Sequence, residues 1–74
     1  MFRKLKLKKQ ISRCLREIRL LEQRRSRSQA ALVSAILSGT TPADDDVDYF
    51  NRYTAEINAT RERLHQLKRE YEAL

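Results

Sequence analysis

Apolar residues along the first half of the chain recur at alternating steps of three and four. The series is Leu7, Ile11, Cys14, Ile18, Leu21, Arg25, Ser28, Leu32, Ala35, with Leu15 and Ile36 widening it on one side. The second half repeats the pattern more cleanly: Phe50, Tyr53, Ile57, Thr60, Leu64, Leu67, Tyr71, Leu74. Seven of these eight are apolar, which is the a/d seam of a heptad repeat rather than the period of two that a strand requires. Each half therefore predicts one long amphipathic helix.

One segment interrupts the pattern, Ser38-Gly39-Thr40-Thr41-Pro42. Gly39 suits the left-handed position after a helix C-terminus. Thr41 reads as an N-cap, Pro42 as the first helical residue and Asp44 as the acid three residues beyond the cap. Asp44, Asp45, Asp46 and Asp48 then fall in the first turns, where the helix dipole favours negative charge. Neither half holds an internal Gly or Pro. The expected organisation is a single all-α domain. Residues 1–10 form a basic N-terminal arm continuing the first helix, 11–38 the first helix, 39–41 the turn and 42–74 the second helix. So short a connection between long helices makes them antiparallel neighbours, an αα-hairpin resembling a coiled coil.

Pairing the two seams level by level leaves two registers. Partners whose numbers sum to 85 set Ile18 with Leu67, Leu21 with Leu64 and the polar Arg25 with the polar Thr60. A sum of 78 sets Thr60 against Ile18 and Arg25 against Tyr53. Matching polar with polar favours 85, which also sends residues 1–10 past the end of the second helix as a projecting arm.

Two helices cover one stripe each, and this chain has apolar surface to spare. Residues 30–37 read Ala-Ala-Leu-Val-Ser-Ala-Ile-Leu, apolar nearly all round. A helix of that kind is buried on every side. The second helix covers the Leu32, Ala35 and Ile36 side, leaving Ala30, Val33 and Leu37 with Val47 and Tyr49 near the same end. These five are the candidate protein interface. The simplest arrangement that covers them is a homodimer forming a four-helix bundle, and the next simplest is docking on a larger protein.

With 74 residues, the chain is one small domain with no room for a layered enzyme core. One Gly and one Pro are too few for a turn-rich β fold, and no apolar run approaches the roughly 20 residues of a bilayer span. The basic start lacks the apolar region of a secretory signal, and a single Cys forms no internal disulfide, so a cytoplasmic protein is expected.

The net charge of +6 is unevenly placed. Residues 1–27 hold eleven Lys and Arg against Glu17 and Glu22, residues 28–50 hold four Asp and no base, and residues 51–74 are nearly balanced. Arg3, Lys4, Lys6, Lys8, Lys9, Arg13, Arg16, Arg24 and Arg27 are the candidate contacts for nucleic acid or an acidic partner. Such a stripe is the footprint of phosphate binding, although a basic helix face is also simply soluble. Nothing reads bases: Phe2 is the only aromatic in the basic half, so nucleic acid would be held by charge and shape.

No catalytic set assembles. The serines have no base at helical spacing, and no Gly-rich phosphate loop exists. Asp44, Asp46 and Asp48 imitate the start of an EF-hand loop, but Tyr49 and Ala55 stand where Gly and Glu are required. His65 falls on an exposed face without a second ligand, and Cys14 reads as a small buried seam residue. Arg-Arg-Ser-Arg-Ser at 24–28 resembles a basophilic phosphorylation context, which equally reads as a polar break in the seam. No metal, cofactor or small-molecule substrate is expected.

In shape and charge alone, the chain resembles the plasmid Rop-type hairpin, a short αα unit that dimerises into a four-helix bundle and holds RNA. It shares no motif with that family. The helical-hairpin phosphatases of sporulation phosphorelays are set aside, because their Ser-Gln-Glu-Leu-Asp signature is missing. Two functions remain. One is a non-enzymatic interaction module, a self-associating adaptor or regulator that binds a larger protein through the apolar loop end. The alternative is a small basic nucleic-acid-binding protein contacting phosphates through the first helix.

Overall fold

The computed structural model describes residues 2–74. Two helices account for nearly all of them: α1, Phe2–Leu37, and α2, Asp44–Glu72. They pack against each other as an antiparallel hairpin, a rod of 57 × 15 × 14 Å. The described chain is thus all-helical, as the periodicity requires.

The turn begins as the composition predicts. Gly39 has φ +72°, and the amides around it close α1 in both ways that a Schellman motif demands. Gly39 N–H donates to the Ile36 carbonyl at 3.0 Å, and Thr40 N–H donates to the Ala35 carbonyl at 2.9 Å. The Thr40 hydroxyl donates to the same Ala35 oxygen at 3.0 Å.

The entry to α2 differs from expectation. Thr41 is not the N-cap. Ala43 holds that position, with φ −64° and ψ 142°, and makes no side-chain capping bond. Pro42 pushes its predecessor towards extended backbone, and Ala43 stays extended as well, so the helix starts two residues late. Asp44 becomes the first helical residue instead of the third beyond a cap. Asp44, Asp45 and Asp46 crowd the first turn, and their charge answers the dipole in place of a cap.

The predicted seam of α1 is the buried face. Leu7, Cys14, Ile18 and Leu21 are buried, while Ile11, Arg25, Ser28, Leu32 and Ala35 are half-buried. On α2, Ile57 is fully buried at 0% exposure, Leu64 is buried, and Phe50, Tyr53, Thr60, Leu67 and Tyr71 are half-buried. Leu74 is exposed at the end of its seam.

The register summing to 85 is not the one formed. Leu7, which would lie beyond the end of α2 in that pairing, is buried, and Lys4 Nζ sits 5.2 Å from the centre of the Tyr71 ring. Cys14 and Ile18 cluster with Leu64, and Ile11 and Leu67 pack on that cluster. These residues fit the pairing that sums to 78, which levels Leu7 with Tyr71, Cys14 with Leu64 and Leu21 with Ile57. A polar Thr60 facing Ile18 is no obstacle to it. The Thr60 hydroxyl donates to its own helix at the Glu56 carbonyl, 2.8 Å away, so Thr60 can face Ile18 with its hydroxyl already bonded. Residues 4–10 are accordingly part of the packed rod, and only the exposed Phe2 and Arg3 reach past the level of Leu74.

Candidate interaction surfaces

A second helix covers only the a/d columns of α1, and the columns beside them stay in water. Leu15 and Ile36, expected to widen the seam, are exposed, Ile36 at 65%. That corrects the placement of Ile36 under α2. Leu5, Ser12, Arg19, Ser26 and Val33 repeat every seven residues, as do Lys8, Leu15, Glu22, Gln29 and Ile36. These two columns form one flank of α1. It is apolar towards the loop at Val33 and Ile36, apolar again at Leu5 and Leu15, and polar between.

At the loop end, the expected interface residues are all exposed: Ala30, Val33, Leu37, Val47 and Tyr49. Leu37 is the most open of the large side chains among them, at 82%. Tyr49 is partly engaged within its own helix. Its ring stacks on Tyr53 with centroids 6.4 Å apart, and the Arg52 guanidinium lies 5.8 Å from its centre. Val33, Ile36 and Leu37 are the most exposed large aliphatic side chains at this end, and Ile36 joins a surface that sequence reasoning draws without it. Its seam-like spacing conceals it: seam and flank columns differ by one residue.

Every candidate basic contact is exposed: Arg3, Lys4, Lys6, Lys8, Lys9, Arg13, Arg16, Arg24 and Arg27. Lys6, Arg13 and Arg27 share one heptad column, with exposed Leu20 at its missing position, and Lys9 and Arg16 form the next. From Lys6 to Arg27 the row runs about 32 Å along α1, its Lys9 and Arg16 column bordering the apolar flank and its Lys6, Arg13 and Arg27 column lying further round. Of the two acids in this half, Glu22 is committed elsewhere. Arg61 Nη2 donates to Glu22 Oε1 at 3.0 Å across the helix pair, the only salt bridge among the described residues. The basic row thus keeps its charge almost uncompensated.

Cys14 is buried and unpaired, in keeping with a packing role. His65 lies on an exposed position. Among the described residues, no three His, Cys, Asp or Glu side chains are grouped to hold a metal, and no helix is long and apolar enough to cross a membrane. A shallow, open groove beside the open end of the hairpin is lined by Lys4, Leu5, Lys8 and Tyr71. No family model matches the chain, and no curated protein or solved structure proved similar to it.

Proposed function

We propose that this chain is a non-enzymatic helical-hairpin module that acts by association. It forms a homodimer, a four-helix bundle in its simplest version, through the apolar surface at the loop end of α1, and as that unit serves as an adaptor or regulator for a larger protein. One observation carries the reading: the hairpin leaves too much of itself in water. Its accessible surface is 6033 Å², where a compact monomer of 8.8 kDa exposes about 4,800 Å². Its radius of gyration is 16.8 Å, against about 11 Å for a compact chain of this length. The excess of roughly 1,200 Å² is of the size that a standard interface buries, about 800 Å² per partner. Val33, Ile36 and Leu37 mark where an apolar partner gains most.

The reading is tested by Val33→Lys and Leu37→Lys, each followed by sedimentation velocity. Both residues are exposed in the hairpin, so the substitutions leave its seam intact while placing a charge in the interface. Burial of apolar surface is not screened by ions, so association of the unmodified chain persists at high salt and is abolished in either variant. Unchanged association in both variants would remove the loop end from the interface.

A second reading is supported by the uncompensated row from Lys6 to Arg27. Its length of about 32 Å is close to one turn of a nucleic-acid duplex, roughly 34 Å, and arginine suits bidentate contact with phosphate. In this role the protein binds a duplex by its backbone without reading sequence, through the Lys6, Arg13 and Arg27 column, which lies across α1 from the Leu15 and Ile36 column.

A further inference from the structure

We infer that the two copies lie antiparallel, each loop end beside the open end of the other, with the Leu5–Ile36 flank of α1 as the shared surface. This rests on the self-association proposed above and specifies its geometry. The rod is a charge dipole. Its open end carries Arg3, Lys4, Lys6, Lys8 and Lys9, and its loop end carries Asp44, Asp45, Asp46 and Asp48 with no base anywhere in residues 28–50. Side by side in the same direction, two rods place lysines against lysines and aspartates against aspartates along one 57 Å edge. Reversing one copy sets each acidic turn against a basic open end.

The flank columns fit the reversed arrangement and not the other. When two α1 helices run antiparallel about a two-fold axis near residues 20 and 21, Leu5 of one copy levels with Ile36 of the other. Arg19 levels with Glu22, whose Oε1 holds Arg61 of its own chain and whose second oxygen is left to accept, and Val33 with Lys8, whose methylene stem can cover it. Run in parallel, the same columns oppose Arg19 to Arg19 and Lys8 to Lys8. The polar middle of the flank, which has no apolar gain to offer, then serves as the layer that sets orientation. An interface one helix wide along the rod covers on the order of 600 Å² per copy, near the roughly 800 Å² of a standard interface side.

The two ends of one chain are too far apart to touch, so a covalent link between them reports on orientation directly. The experiment mixes unlabelled and nitrogen-15-labelled unmodified chains, treats them with a zero-length carbodiimide that joins amines to carboxylates, and sequences the dimer band by mass spectrometry. Sedimentation of the untreated sample is run alongside. The expected result is mixed-label peptides joining Lys4, Lys6 or Lys8 to the Asp44–Asp48 segment. Dimers in sedimentation without such end-to-end links overturn the antiparallel arrangement and leave self-association standing. A monomer in sedimentation with no covalent dimer removes both. The variant with Asp44, Asp45, Asp46 and Asp48 all replaced by Asn should dimerise more weakly in sedimentation at low salt, and undiminished dimerisation there overturns the pairing of ends.

Discussion

Arg61 on α2 reaches across the hairpin to Glu22 on α1, Nη2 to Oε1 at 3.0 Å, and joins the helices a little towards the loop side of the buried Cys14, Ile18 and Leu64 cluster. Both side chains are nearly half exposed, so water screens the pair and its contribution is small, about 0.5 kcal/mol. Glu22→Gln should therefore lower stability by no more than that, and less in high salt. The combined exchange Glu22→Arg with Arg61→Glu should recover most of the loss of either single change. Urea titrations of the four chains, arranged as a double-mutant cycle, measure this. A coupling of zero would mean that the register is held by the seam alone.

Ile57 is the one side chain among the described residues that is wholly withdrawn from water. Ile57→Ala removes buried methyl groups and leaves a cavity between two helices that share few other buried residues, at a cost of about 2–5 kcal/mol. For a domain this small that is most of its stability. Circular dichroism should show the helical signal melting far below that of the unmodified chain. Leu74→Ala, at an exposed seam position, should leave the melt almost unchanged.

Gly39 has φ +72°, and a Cβ built there meets nothing within 4 Å. The strain of Gly39→Ala is therefore purely that of the backbone, about 1 kcal/mol. Gly39→Asn should cost less, because Asn tolerates the left-handed region. Thermal melts of the two variants should rank in that order, and an Ala variant as stable as the Gly chain would contradict the Schellman closure.

Reversing the charge at Arg13, Arg16, Arg24 and Arg27 with Glu leaves the seam alone, since all four are exposed. If the basic row holds a duplex, the logarithm of affinity for a generic RNA or DNA duplex should fall linearly with the logarithm of salt concentration. The slope should shrink by about one for each phosphate that the reversed chain no longer neutralises. Fluorescence anisotropy at several salt concentrations gives both numbers. Binding that survives the reversal would place the duplex elsewhere on the molecule.

The seams are legible because heptad spacing repeats over many turns: every position assigned to the α1 seam, from Leu7 to Ala35, is buried or half-buried. The register is not, because it depends on reading Thr60 as a polar residue in search of a polar partner. In the folded chain its hydroxyl is bonded to the Glu56 carbonyl, a local option open to Thr in any helix. Capping fails at Thr41 for a similar reason. Residue types at the right spacing describe a box, but Pro42 and the extended Ala43 decide where the helix begins. At the surface, the exposure of Val33 and Leu37 is readable from an octet too apolar for one neighbour. That of Ile36 is not, since whether α2 reaches it depends on packing that spacing alone does not express.

The proposed role requires that a single hairpin be only part of the working unit. Sedimentation equilibrium of the unmodified chain over a series of concentrations tests this most directly. The expected mass rises from 8.8 kDa towards twice that value as concentration increases, and remains there in high salt. A mass fixed at that of one chain throughout the series would contradict it.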